Sequence, residues 1–257
     1  MATSSTVRRA FDILDLFVDD KAELGVSDVA SKLGITKSTA HRLLSTMEEA
    51  KILAKSRGRP KYCLGGKILQ IAHAYISNVD LKTISYPYIK ELHSKTGDTI
   101  SLFIHEGDKA ICLDTLESTK TVRRVFYVKD NLPLHAGSPG KLLLAYLSDK
   151  EIDNIITRTG MPRYTDRSPA SKKHLKKDIT KIRKEGFAVS FGEITELAIG
   201  LSTPVRKYGG DVIAALTFSW IANSPDPKKI DEYLNLLKEA TSNISREMGY
   251  LKRFKEA

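Results

Sequence analysis

Residues 27–67 constrain the fold more than any other part of the chain. The first part, SDVASKLGITKSTAHRLLSTMEEA (27–50), has the pattern of two short helices joined by a tight turn. Ser27 is placed to cap the first helix, because a hydroxyl accepts a bond from an orphan first-turn amide. Val29, Ala30 and Leu33 share one face, and Gly34 can take the left-handed conformation that ends a helix. Thr36 is placed to cap the second helix, in which Ala40, Leu43, Leu44 and Met47 form a stripe at helical spacing. Lys37, Ser38, His41, Arg42 and Ser45 remain on the open face. A braced helix with small, polar and basic residues at its N-terminal end suits the DNA major groove.

An ordinary helical hairpin with a solvated polar face gives the same pattern. The next stretch separates the two. KILAKSRGRPKYCLGGK (51–67) holds six Lys/Arg and no acid. Within it, residues 52–54 and 62–64 can pair as strands around Arg57-Gly58-Arg59-Pro60. That is a β-hairpin with a basic tip, a wing, suited to phosphates or the minor groove.

Composition supports this only through clustering. The 257 residues carry a formal charge of +10, which favours polyanions without separating nucleic acid from solubility. Residues 1–78 hold twelve Lys/Arg against eight Asp/Glu, so the excess is spread and only its density at 51–67 is informative. With 41% hydrophobic residues, a packed core is expected rather than disorder. The two cysteines, Cys63 and Cys112, lie in apolar strand-like runs with no C-x-x-C, so they read as small buried hydrophobes. No disulfide framework, metal site or cofactor is expected. Without a signal-like N-terminus or an 18-residue apolar run, the expectation is a cytoplasmic protein with no membrane partner.

Taken in order, residues 7–17 form a helix lined by Val7, Ala10, Phe11, Leu14 and Phe17, with Arg8 and Arg9 in its first turn. Residues 19–24 are a polar link. Residues 67–78 are helical and apolar on more than one side, as a linker helix meeting a partner subunit or its own domain would be. Asp80 caps a helix at 81–95 that turns Ile84, Tyr88, Ile89 and Leu92 inward. The pattern then changes period. Residues 99–105 and 110–116 read as a hairpin, and 122–128 as a third strand. Helices follow at 139–147, 149–159 and 172–185, the last with a solvated lysine face. Strands follow at 187–191, 201–206 and 211–220, then a closing helix at 227–250. This order predicts an α+β fold whose C-terminal part is one antiparallel sheet covered on one face by helices.

The segments RAFDILDLF, DVASKLGITKSTAHRLLSTMEEAKIL, YCLGGKIL, TGDTISLFI, LPLHAGSPGKLLLAYL and EGFAVSFGEITELAIGLSTPVRKYGGDVIAAL occur in an order that resembles the IclR family over nearly the whole chain. The resemblance implies a winged helix-turn-helix domain at 1–65, a linker helix at 66–79, and a GAF/profilin-like effector-binding domain at 80–257. It implies a homodimer or homotetramer that binds double-stranded operator DNA and responds to a small metabolite, often an organic or aromatic acid. Carried over by position, the effector site comprises His135, Ala136, Gly137, Ser138 and Pro139 in a turn, Ser190 and Glu193 on the fifth strand, and Gly200, Leu201 and Ser202 on the sixth. Glyoxylate-type members have an acid where this chain has Ser190 and a cysteine where it has Gly200. Both departures argue against that ligand class.

The residues themselves point the same way in part. Gly137-Ser138-Pro139-Gly140-Lys141 opens a helix, and amides at a helix N-terminus attract carboxylate or phosphate. It is not a P-loop, since His135 and Leu142 stand where glycine and Ser/Thr are needed. One of Arg123 and Arg124 is expected to face the site and prefer an anion.

The expected function is a DNA-binding regulator modulated by an anionic effector. The helix face of Lys37, Ser38, Thr39, His41, Arg42 and Ser45 would read bases. Arg8, Thr36, Arg57, Arg59 and Lys61 would hold phosphates. The alternative is a small-acid-processing enzyme using His135, Ser138 and Glu193, but no G-x-S-x-G elbow or metal-ligand spacing supports it, and no catalytic residue is assigned. A ligand-independent architectural binder would not need so differentiated a second domain.

Overall fold

Ile13 and Phe17 lie one turn apart and anchor α1 (Ser5–Asp19) in the N-terminal core. The structure, a computed structural model, describes residues 4–19, 23–78 and 80–251. Part of the polar link expected at 19–24 and residue 79 at the end of the linker lie outside the described residues, as does the Ile76 side chain. The chain divides into two compact units, Met1–Val79 and Asp80–Ala257.

In the first unit α1 is followed by α2 (Val26–Leu33), α3 (Lys37–Glu49), a hairpin of β1 (Leu53–Lys55) and β2 (Tyr62–Leu64), and α4 (Gly66–Asn78). Two expectations need correction. The seam of α1 runs through Ala10, Ile13, Leu14 and Phe17, so Val7 and Phe11 are exposed rather than inward. Those four positions follow the i, i+3, i+4, i+7 spacing that keeps contacts on one stripe. Ser27 is not the cap of α2, because the helix starts earlier, at a Gly25 N-cap. The Asp28 carboxylate accepts the Gly25 N–H at 2.8 Å, and a charged acceptor there also complements the helix dipole. Leu24 fixes this start by bridging Tyr62, with N–H···O distances of 2.9 and 2.8 Å. Gly34 does end α2 in the left-handed region, at φ 63°.

The second unit contains α5 (Leu81–Thr96), β3 (Thr99–Glu106), β4 (Lys109–Leu116), β5 (Asn131–Pro133), α6 (Ser138–Ala145), α7 (Asp149–Thr159), α8 (Lys172–Glu185), β6 (Ala188–Phe191), β7 (Ala198–Arg206), β8 (Val212–Ile221) and α9 (Pro227–Glu247). Its sheet runs β5-β4-β3-β8-β7-β6, antiparallel throughout. The strand expected at 122–128 does not form. The backbones of Lys129 and Asp130 bond to Cys112, Lys129 turns through φ 75°, and regular pairing with β4 begins only at Asn131. Phe126 of that loop instead packs edge-on against Phe103, with ring centroids 5.3 Å apart.

Helices cover both faces of the sheet, not one. Phe103, Cys112 and Ala215 pack with α6, α7 and α8, while Ile100, Leu102, Leu201, Leu216 and Phe218 pack with α5 and α9. The physical reason is legible in β8, where every residue from 214 to 220 is buried. A strand that carries no charge on either face can be covered on both, and β8 carries none, its polar residues being Thr217 and Ser219. Cys112 is buried as expected, and burial pushes its thiol up to about 12, which leaves it inert. Cys63 is only half-buried.

Asp98, at the start of β3, ties this unit together. Its carboxylate accepts bonds from Lys120 (2.7 Å), Lys229 (3.0 Å) and the Tyr233 hydroxyl (2.6 Å), joining α9 to the sheet. Burial alone pushes the Asp98 carboxyl up, but those three bonds outweigh it and hold it below the ordinary carboxylate range. Among the described residues, no helix is long and apolar enough to cross a membrane, and no group of three or more His, Cys, Asp or Glu could hold a metal.

Candidate functional site

The first site is a surface. Thr36 caps α3, accepting the Thr39 N–H at 3.2 Å, while its hydroxyl also meets that of Thr39 at 2.9 Å. Ala40, Leu43, Leu44 and Met47 are buried, which fixes the rotation of the helix. Lys37, Ser38, His41 and Arg42 are exposed on the other side, and Thr39 and Ser45 are half-buried at its margins. Arg8 is exposed in the first turn of α1. The strands β1 and β2 pair Leu53 with Leu64, Ala54 with Cys63 and Lys55 with Tyr62, presenting Arg57, Arg59 and Lys61 around their tip.

One wing cation is already engaged. Arg59 donates to Glu23 at 3.2 Å, a contact that the 36-residue separation hid from sequence reading. Its side chain is 69% exposed, so the pair is weak and the guanidinium remains available to a phosphate. We expect Arg59→Ala to weaken binding to all DNA sequences alike and to flatten the salt slope by about one unit. Glu23→Gln should strengthen binding in the same sequence-independent way. A titration of affinity against salt checks both, and an unchanged slope in Arg59→Ala removes the wing from the interface.

Arg42→Ala is expected to behave differently. If Arg42 reaches a base edge, its loss costs about 1–3 kcal/mol on the operator and relaxes preference at one base pair. Competition binding against single-base operator variants measures this. An equal loss on every sequence makes Arg42 a phosphate contact.

The second site is a cavity in the C-terminal unit. Gly137 precedes α6 at φ 78°, a conformation that favours glycine, and turns two successive amides toward β6 and the bend beyond it. The Gly137 N–H donates to the Glu193 carboxylate at 2.9 Å and the Ser138 N–H to the Ser190 hydroxyl at 3.0 Å. Gly200 on β7 faces this turn. A Cβ there would lie 2.5 Å from the Ser138 hydroxyl, so only glycine leaves the space open.

Of the residues expected here, Gly137, Ser138, Pro139, Ser190, Glu193 and Gly200 line one cavity. The others do not. His135 is buried with its Nε2 3.0 Å from the Pro162 carbonyl and its ring stacked on Tyr164. Ala136 is fully buried, and Leu201 points into the core on the opposite face of the sheet. Ser202 stands behind the turn, donating to the Ser138 hydroxyl at 2.8 Å and meeting Thr217 at 2.8 Å. Glu193 is not on a strand, because β6 ends at Phe191 and Gly192 turns the chain at φ 65°.

Arg124 supplies the cavity's cation from the loop, over the Phe126 ring at 4.7 Å, while Arg123 pairs with Glu117 outside it. Burial lowers the Arg124 pKa and Asp130 opposes that shift. Ser219, Phe126, Leu132, Ile194 and Thr195 also line the space and were missed. Thr217 and Ser219 carried a signal, since they alternate as polar residues within an otherwise apolar strand. Lys141 carried another, as a lone charge in the apolar helix SPGKLLLA.

A winged helix-turn-helix unit followed by an α+β unit with a small cavity that mixes apolar and polar side chains defines a DNA-binding transcription regulator with its own sensor. Two family models match the chain: the IclR helix-turn-helix domain over residues 6–57, and the C-terminal domain of the bacterial transcriptional regulator IclR over 73–246. The chain belongs to the IclR family of transcriptional regulators. It is similar to the HTH-type transcriptional regulator XynR of Escherichia coli (strain K12), with 28% identity over 250 residues, 97% of this chain and 99% of the relative. It is 29% identical to the HTH-type transcriptional regulator KdgR of Dickeya chrysanthemi over 248 residues, 96% of this chain and 80% of the relative. The crystal structure of the Agobacterium tumefaciens repressor BlcR superposes with a TM-score of 0.86 at 25% identity, covering 97% of this chain and 99% of that one. These relatives are transcription regulators, and so is this chain, rather than an enzyme.

Proposed function

We propose that α3 enters the major groove of an operator and that the cavity beside α6 holds a small anionic effector which changes operator affinity. Lys37, Ser38, Thr39, His41, Arg42 and Ser45 meet base edges, and Arg8, Thr36, Arg57, Arg59 and Lys61 meet phosphates. The observation that carries this reading is the division of α3: four buried apolar residues lock one side, and four exposed polar or basic ones occupy the other. An organic acid suits a cavity lined by Arg124, Ser138, Ser190 and Ser219 at a helix N-terminus. The likeness to a repressor supports repression relieved or enforced by ligand.

The working form is a dimer or a dimer of dimers. Leu69 and Ile71 on α4, and Val7 and Phe11 on α1, are exposed apolar residues that a second copy would cover. Two-fold pairing sets recognition helices about 34 Å apart, or a multiple of that, and requires a roughly palindromic operator.

The test is binding to labelled DNA from just upstream of its own gene, at two salt concentrations, with excess nonspecific competitor. Specific retention is the expected result, and organic acids are then screened for a change in retention. A folded protein that retains no fragment from a genomic pool overturns the proposal.

A further inference from the structure

The cavity is nearly full. Its free volume is about 40 Å³, room for a few waters but not for an organic acid. What fills it is the chain itself. The Glu193 carboxylate takes the Gly137 amide with one oxygen at 2.9 Å and the Lys141 ammonium with the other at 2.6 Å. Ile194 sits over Gly137, its Cδ1 2.8 Å from where a Cβ would be.

Two further observations point to a ligand. Ser219 lines the same cavity and is only 4% exposed, which puts a hydroxyl on its wall. The Arg124 guanidinium lines it too; among the described residues Asp130 acts on it electrostatically without forming an ion pair.

We infer that Glu193 is a resident carboxylate in this cavity, and that a small carboxylate ligand binds by displacing it. The inference rests on the cavity being the effector site. Charge selects the ligand class. Lys141 is buried between Glu193 and Asp178, at 2.6 and 2.9 Å. A ligand carboxylate in place of Glu193 keeps the number of charges around that ammonium unchanged. A neutral ligand leaves it with one partner in a site where an uncompensated charge is costly.

The segment that must move is built to do so. Residues 192–197 form bends rather than strand, bounded by Gly192 at φ 65° and Leu197 at φ 63°. They are held to the 165–168 turn by side-chain bonds from Thr165 to the Gly192 carbonyl and from Ser168 to the Glu193 carbonyl. Displacement of Glu193 therefore pulls on the end of β6 and on that turn, which gives the occupied state a different outer surface from the empty one.

The inference makes Glu193 a competitor of the ligand, not a contact to it, and the two roles have opposite signatures. The probe is acetate, with acetamide as its uncharged match, titrated into the full chain while the amide resonances of Gly137 and Ser138 are followed. Glu193→Gln should bind acetate at least tenfold more tightly than the parent, with acetamide equally weak in both. Equal or weaker acetate binding in Glu193→Gln overturns the displacement. Should that variant not fold, Glu193→Asp carries the test. It keeps the charge on a shorter arm and should also bind acetate more tightly than the parent, and a failure to do so overturns the inference. Adding Gly200→Ala to the tight-binding variant fills the cavity and should abolish the response. A response that persists there overturns the assignment of the cavity as ligand site, a result distinct from failure of the displacement alone.

Discussion

Lys141→Ala is expected to destabilise the C-terminal unit by about 3–5 kcal/mol, the usual cost of removing one partner from a buried ion pair. Lys141 is 3% exposed, in a helix whose other residues are all buried. Its removal leaves Glu193, 11% exposed, and Asp178, 28% exposed, facing one another without the ammonium between them. Most of the loss comes from Glu193, since Asp178 retains access to water. Urea unfolding of the two forms measures the difference. The double variant Lys141→Ala with Glu193→Gln should recover part of it, because the stranded charge is gone. A loss below about 1 kcal/mol would mean that both carboxylates reach solvent, and that the triad is a surface pair in effect.

Leu44→Ala is the second large effect. Leu44 is fully buried on the inner stripe of α3, so its truncation removes transfer free energy and leaves a cavity, about 2–5 kcal/mol together. A domain of this size has a net stability of about 5 kcal/mol or somewhat more. The variant should therefore populate an unfolded N-terminal unit and lose operator binding. The unfolding transition of the C-terminal unit serves as the internal reference. Arg42→Ala, on the opposite side of the same helix, should leave both transitions in place. A Leu44→Ala protein that still binds its operator at parent affinity would show that α3 is not braced by this core.

The N-terminal unit was the most legible part of the chain, because its determinants are local. Gly34, Thr36 and the 40, 43, 44, 47 stripe each act within a few residues, and the strands of the wing are brought together by a short turn. Ser27 and the α1 face were misread for one reason: each depended on a distant partner. Leu24 bridges Tyr62, which moves the start of α2, and Ile13 is selected by the α2–α3 core rather than by α1 alone.

In the C-terminal unit, helices and most strands followed from periodicity, but their assembly did not. The run VRRVFYV has strong strand propensity, and tertiary bonds to Cys112 override it. Coverage on both faces was readable from the uncharged run of β8, polar only at Thr217 and Ser219, and was missed. For the cavity the residues pointed only to the α6 turn and one of Arg123 and Arg124, and the family resemblance added Ser190, Glu193 and Gly200; the rest was out of reach, since the site joins the Arg124 loop, the α6 turn, the Glu193 bend and the β7–β8 pair. Glu193 and Lys141 are 52 positions apart, and no local pattern announces that they touch.

The bridge between Leu24 and Tyr62 has a mechanical consequence. It joins the base of the wing to the entrance of α2, with Tyr62 seated in the core, so the hairpin is not a hinged flap. Recognition helix and wing form a caliper with a nearly fixed span. A caliper measures width as well as letters. Operator positions that no side chain touches should therefore still matter, wherever their sequence narrows or widens the groove that the jaw must close on.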